Sequence, residues 1–228
     1  MTNPCRRHFV RVSAAIEAAA ANPTQTTAYE HQLNQLLQDR LRLKQVQSNQ
    51  GKAELKRQLL PDYIPYVQGV LEGGKGAQDE VLTTIMVWRI DAEDFSGALD
   101  IADYVLKHKL IMPDRFERTT GCLVAEEVAT VALKALKVGE PFELAILQRT
   151  AELTDAEDMP DQARAKLFLA MGRATLEGIT DEGLGQPGQV QAGIALLKKA
   201  IDLHDVCGGK KDLERAERLL NKLAAAGS

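Results

Sequence analysis

The chain has 228 residues, a formal net charge of −4, 45% hydrophobic and 26% charged residues, and only 4% aromatics. That is enough apolar material for a core in one large domain or two small ones, and few aromatics among abundant Leu and Ala favour helix over sheet. No apolar run approaches the roughly 18 residues of a membrane span, and Cys5, Cys122 and Cys207, odd in number and with no C-x-x-C, argue against a disulfide framework.

The charge is unevenly spread. Residues 1–60 hold nine Lys and Arg against four Asp and Glu, whereas 61–228 hold nineteen against twenty-eight. A basic N-terminal region (1–60) joined to an acidic body (61–228) suggests that the front meets a polyanion and the rest does not.

Asn3 and Pro4 read as a helix cap and first turn, predicting a helix to about Ala21, stopped by Asn22 and Pro23. It carries Arg6, Arg7 and Arg11 beside Phe9, Val12 and Ile16. A second helix is expected from Thr26 or Thr27. Its stripe of Tyr29, Leu33, Leu36, Leu37, Leu41 and Leu43 follows helical spacing and suits packing within or between chains. The heptad phase is lost after Leu43, so a long coiled coil is not secured. Ser48–Gly51 should break this helix, and a short basic segment runs on to Pro61. Beyond Pro61 a short helix is expected, broken by Gly73, Gly74 and Gly76, with Asp79 near the start of a helix over Glu80–Ile90.

The remainder reads as helical hairpins. Ala98, Ala102 and Val105 share one helical face. The segment around Phe168 and Met171–Gly172, followed by Gly193, Leu197 and Ala200, resembles a tetratricopeptide-type pair, with an over-long linker at Gly178–Gln189. An amphipathic last helix, Lys211–Leu223, suits the end of such a stack. The expected fold is all-α: N-terminal helices offering a coiled-coil or oligomerisation segment, then a TPR-like hairpin bundle.

Gly69-x-x-x-x-Gly74-Lys75 has the spacing of a phosphate-binding loop, but Gly76 stands where Ser or Thr should bind Mg²⁺. No strand precedes it, so it reads as a glycine-rich turn from which Lys75 and backbone amides could reach a DNA phosphate. A metal-dependent nuclease needs converging carboxylates. The candidates are Asp79, Asp91 and Asp94, with Glu80, Glu93, Asp100 and Asp103 nearby in sequence. Acidic residues at helix turns more often cap helices. Pro61-Asp62, Pro113-Asp114 and Pro160-Asp161 begin a nuclease pattern, but none precedes a strand with Asp/Glu-x-Lys. His8, His31, His108 and His204 are scattered, and His204 with Cys207 lacks a second ligand pair, so no metal site is assigned.

Three basic groups stand out: Arg6, Arg7 and Arg11; Arg40, Arg42 and Lys44; and Lys52, Lys56 and Arg57. Duplex DNA is held chiefly through its phosphates, and the scarcity of aromatics beside these groups argues against single-strand stacking.

Specific residues also carry a family likeness. The segment Lys56–Leu110, "KRQLLPDYIPYVQGVLEGGKGAQDEVLTTIMVWRIDAEDFSGALDIADYVLKHKL", resembles the central block of the small terminase subunit of Peduovirus-type contractile-tailed phages. Pro4-x-x-Arg7-His8-x-x-Arg11-Val12-Ser13-Ala14-Ala15, "EEVA" at Glu126–Ala129 and "ELT…DMPDQARAKL" at Glu152–Leu167 are similar to the same family. The resemblance implies binding of double-stranded viral DNA near the cohesive-end site and its presentation to the large terminase subunit, an ATPase. It also implies assembly into a homo-oligomeric ring and work in the host cytoplasm, away from membranes. The family also carries the label terminase endonuclease subunit, which would bring Mg²⁺; no other cofactor is implied. Many relatives have a Lys/Arg-rich C-terminal tail that the closing "NKLAAAGS" does not match, so the N-terminal basic region would carry more of the DNA contact. A helical-repeat scaffold without DNA contact is the third expectation.

Overall fold

The first helix, α1 (Pro4–Ala19), begins where the sequence places it: the Asn3 side chain accepts a hydrogen bond from the Cys5 amide at 2.9 Å. In this computed structural model residues 3–19, 28–113, 116–180, 183 and 185–226 are described. The expected stop at Asn22 and Pro23, the expected start at Thr26 or Thr27, and Asp114 lie outside them. Among the described residues there are ten helices and no strand, so the chain is all-α. It divides into two compact units, residues 1–120 and 121–228.

In the first unit, α2 (Ala28–Gln45) ends before Ser48, whose side chain accepts from the Gly51 amide at 3.0 Å and caps α3 (Asn49–Gly73). The sequence suggested a basic segment ending at Pro61 and a separate short helix. Instead α3 runs unbroken through Pro61 and Pro65, and the charge boundary at residue 60 falls inside it. Proline removes a donor from the helix ladder. Here the two stand four apart, Pro61 exposed and Pro65 buried, and burial of Leu59, Leu60, Tyr63, Tyr66, Val67 and Val70 together with Pro65 holds the helix.

Helix α1 packs on α3 through small residues. A side chain at Gly69 would run into the Arg11 carbonyl and Ala14, and one at Gly73 into the backbone of Ala15. The backbones therefore approach closely, and glycine is required at both positions. The consequence is an inverted helix: Ala14 is buried, while Phe9, Val12 and Ile16 are 70%, 38% and 65% exposed. The apolar stripe of α2 also divides, with Leu36 and Leu43 buried and Leu37 and Leu41 facing water.

Helix α4 (Glu80–Asp91) is the centre of the unit, buried from Val81 to Trp88 and at Ile90. Asp79 caps it, accepting from the Leu82 amide at 2.8 Å and from the Tyr66 hydroxyl at 2.6 Å. Asp39, inside α2, likewise accepts from a buried tyrosine, the Tyr63 hydroxyl at 2.8 Å. A tight turn with Glu93 at φ 66° leads to α5 (Phe95–Lys107), capped by Asp94 and burying Ala98, Ala102 and Val105 as the sequence suggested.

The second unit contains α6 (Thr120–Lys137), α7 (Leu144–Thr154), α8 (Asp161–Thr175), α9 (Gln189–Leu203) and α10 (Lys210–Ala226). Helices α8 and α9 meet through glycines: Gly172 leaves room for Leu197, and Gly193 for Leu176. The small and large positions Gly193, Leu197 and Ala200 are all buried. Ile179, Val190, Ile194, Ala216 and Leu219 form the apolar cluster that seats α10, and Arg173 ties to Asp212 at 2.7 Å.

Candidate nucleic-acid interface

The basic residues take two different fates. On α1, Arg6 and Arg7 are exposed and, among the described residues, have no carboxylate partner. They overlook a groove of about 140 Å³ with His31 and Gln35 of α2 and Asp62 of α3 on its walls. Arg11, one turn on, reaches Glu72 at 4.0 Å.

On α2, Arg40 bonds Glu80 at 2.7 Å and the Thr84 hydroxyl at 3.1 Å, joining α2 to α4. Arg42 pairs with the buried Asp39 at 2.9 Å. Lys44 is exposed and has no ion pair among the described residues. On α3, Lys56 is largely buried in an ion pair with Asp91. Arg57 donates to the Ala92 carbonyl at 3.2 Å and lies 3.3 Å from both Glu54 and Glu93. Lys52 is half-buried and has no ion pair among the described residues. Five of the ten basic candidates (Arg11, Arg40, Arg42, Lys56 and Arg57) thus face carboxylates of their own unit. The other five, Arg6, Arg7, Lys44, Lys52 and Lys75, form no ion pair among the described residues.

Lys75 lies in the glycine-rich turn after α3. Two of the amides that a phosphate loop would offer are already bonded there. Gly74 donates to Val70 at 2.8 Å, and Gly76 donates to the Tyr104 hydroxyl at 2.8 Å. The Asp79 carboxylate occupies the start of α4. Gly76 has φ 83° and lies against the His108 ring, which explains a glycine where a phosphate loop has Ser or Thr. The same contact brings Lys75 beside Lys107 and Lys109, both exposed. Those two lysines were missed in the sequence. Lys107-His108-Lys109 is visible as a basic triplet, but only the fold carries it to the turn.

The three carboxylate candidates are separated by their roles. Asp79 is 5% exposed and caps α4. Burial pushes its carboxyl above the ordinary value, against the opposing effect of bonds from Tyr66 and backbone amides. The Tyr66 hydroxyl is raised as well, by burial first and then by the neighbouring Asp79 charge. Asp91 pairs with Lys56. Asp94 accepts from the Gly97 amide at 3.1 Å and from Arg89 at 2.8 Å. Asp100 and Asp103 are exposed on α5. Among the described residues no group of three His, Cys, Asp or Glu could hold a metal ion, and no helix is long and apolar enough to cross a membrane.

An all-helical protein with several exposed basic side chains outside ion pairs, among the described residues, is what the fold and its charges define. A family model described as phage small terminase subunit matches residues 33–162. The chain is 44% identical over 222 residues to the terminase, endonuclease subunit of Escherichia phage P2, covering 96% of this chain and 86% of that protein. It is 25% identical over 181 residues to the probable terminase, endonuclease subunit of Haemophilus phage HP1, covering 77% of this chain and 64% of that protein. No solved structure matches it. The chain belongs to the phage small terminase subunit family, a family of genome packaging.

Proposed function

We propose that this chain engages viral duplex DNA near the cohesive-end site and presents it to the large terminase subunit in the host cytoplasm. The observation that carries the reading is the split among its basic residues. Arg6, Arg7, Lys44, Lys52 and Lys75 form no ion pair among the described residues, although five other basic candidates of the same unit do. Unneutralised cations are what a phosphate backbone attracts, each contact releasing condensed counterions. The second unit, with seventeen Asp and Glu against thirteen Lys and Arg, is suited to protein contact. The test is duplex binding by the full chain over a range of salt. The double variant Arg6→Ala/Arg7→Ala should bind more weakly and with a flatter salt dependence. Unchanged binding at every salt concentration would remove α1 from the interface.

Self-association fits the outward stripe Phe9, Val12 and Ile16, apolar surface on a helix whose small side is already buried. The full chain should scatter light as an oligomer, and Phe9→Asp/Ile16→Asp should shift it toward the monomer. A mass unaffected by that change would place any interface elsewhere.

Intrinsic cleavage is the second reading, prompted by the names of the two relatives. Asp79, Asp91 and Asp94 would each have to give up a helix cap or an ion pair to hold Mg²⁺, which favours the non-cleaving role. Mg²⁺- or Mn²⁺-dependent cutting of a cohesive-end duplex by the chain alone, lost in the triple Asp→Asn variant, would reverse that preference.

A further inference from the structure

The turn that follows α3 is fastened to the end of α5 at several points. Gly76 donates to the Tyr104 hydroxyl at 2.8 Å and packs on the His108 ring. The Tyr104 and His108 rings are themselves 4.4 Å apart. Two residues on, Gln78 makes a paired contact with the backbone of Ile111, donating to its carbonyl at 2.7 Å and accepting from its amide at 2.8 Å. A loop bonded in this way carries Lys75 on a fixed backbone. Lys107 ends α5, and Lys109, at φ 55°, turns the chain away from it. Three lysines more than thirty positions apart at the extremes are thereby placed at one end of the unit.

None of the three is neutralised by a carboxylate among the described residues. Glu72, close in sequence, is the partner of Arg11. Asp79 is buried beneath the turn as a helix cap. Asp103 lies one helical turn before Lys107 and makes no ion pair with it. The carbonyl ends of α3 and α5 both finish here, and each brings roughly half a negative charge. Three ammonium groups exceed that by about two charges.

We infer that Lys75, Lys107 and Lys109 form a second phosphate-contacting edge for duplex DNA, separate from Arg6 and Arg7 on α1. The inference rests on the duplex-binding reading and extends it from Lys75 to Lys107 and Lys109 at the end of α5. The chemistry selects a polyanion backbone over other ligands. A discrete anion pocket needs free amides, and those of Gly74 and Gly76 are bonded. Single-strand stacking needs an open ring face, and Tyr104 is only 8% exposed. What remains is point charges on a rigid support, which position a duplex without reading its sequence.

The experiment measures binding of a labelled mixed-sequence duplex to the full chain as salt is varied. Three variants are compared with the unaltered chain: Lys75→Gln/Lys107→Gln/Lys109→Gln, the same three positions changed to Arg, and Arg6→Gln/Arg7→Gln. The glutamine triple should reduce the slope of log affinity against log salt by about 2 to 3, at roughly 0.9 per phosphate lost. The arginine triple should keep the slope. If the glutamine triple binds like the unaltered chain while the α1 variant is impaired, the inference falls and the duplex reading stands. If the unaltered chain does not bind duplex, both fall.

Discussion

The seam where α2 and α3 meet α4, and the turn where α3 meets α5, use the same residue types to opposite ends. At the seam a cation from α2 or α3 meets an anion of α4 or of the turn that follows it: Arg40 with Glu80, Lys56 with Asp91, Arg57 with Glu93. At the turn, Lys75, Lys107 and Lys109 are left to solvent. Residues 1–120 hold fifteen basic and fifteen acidic residues, so net charge does not distinguish the two places. Pairing does. A basic residue becomes a candidate for DNA only after the pairs that fasten the fold have been set aside.

The largest expected break is at the buried anion of the seam. Asp79→Ala removes the cap of α4, worth about 1 kcal/mol. It also strands the Tyr66 hydroxyl in the core, costing about 1–3 kcal/mol more. Urea unfolding should therefore show a loss of about 2–4 kcal/mol, and a loss below 1 kcal/mol would mean that the cap is dispensable. Asp79→Asn keeps an acceptor for the Leu82 amide, and its NH2 can donate to the Tyr66 hydroxyl oxygen in place of the bond that it loses, so it should cost less than Asp79→Ala. Its effect should also depend on pH. The folded-state carboxyl is raised above 3.8 by burial. Its contribution is then fully present below that ordinary value and is lost as pH rises through the raised one. The asparagine variant lacks this titration, so it should gain on the unaltered chain as pH increases above about 4. A stability difference constant with pH would show that Asp79 ionises normally.

Lys56→Met tests the seam at a cation. The side chain is 15% exposed and its Asp91 partner 38% exposed. Solvent can reclaim much of the freed carboxylate, so a loss of about 1 kcal/mol is expected. Duplex affinity should stay within twofold at moderate salt. A fall in affinity without a fall in stability would move Lys56 from the seam to the DNA-facing set.

Much of this was legible in the sequence, and the parts that were not have physical causes. Asp79 could be placed at a helix start from its charge and the glycines before it, and the buried face of α5 from the spacing of Ala98, Ala102 and Val105. The unbroken course of α3 could not, because Pro61 and Pro65 signal a break locally and only packing around Tyr63 and Tyr66 overrides it. The inversion of α1 was hidden for a related reason. Phe9, Val12 and Ile16 resemble a core face until Gly69 and Gly73 are seen to accept Ala14 and Ala15 in their place. Among the basic residues, proximity in sequence grouped Lys56 and Arg57 with Lys52, but their partners Asp91 and Glu93 are more than thirty positions away. The same blindness to distant partners kept Lys107 and Lys109 apart from Lys75.

The smallest expected effect on stability belongs to the turn and completes the contrast. Lys107→Gln removes an exposed charge with no ion pair among the described residues, near the carbonyl end of α5. The helix dipole favours a cation there by only about 0.3–1 kcal/mol, and salt screens it. At moderate salt the unfolding free energy should shift by no more than about 0.5 kcal/mol. The same variant should lower the salt slope of duplex binding by about one, the share of a single phosphate contact. Lys56→Met and Lys107→Gln should thus cross over, the first moving stability and leaving binding alone, the second the reverse. Equal effects of both on both measurements would dissolve the distinction between seam and turn, because neither lysine could then be assigned to one partner.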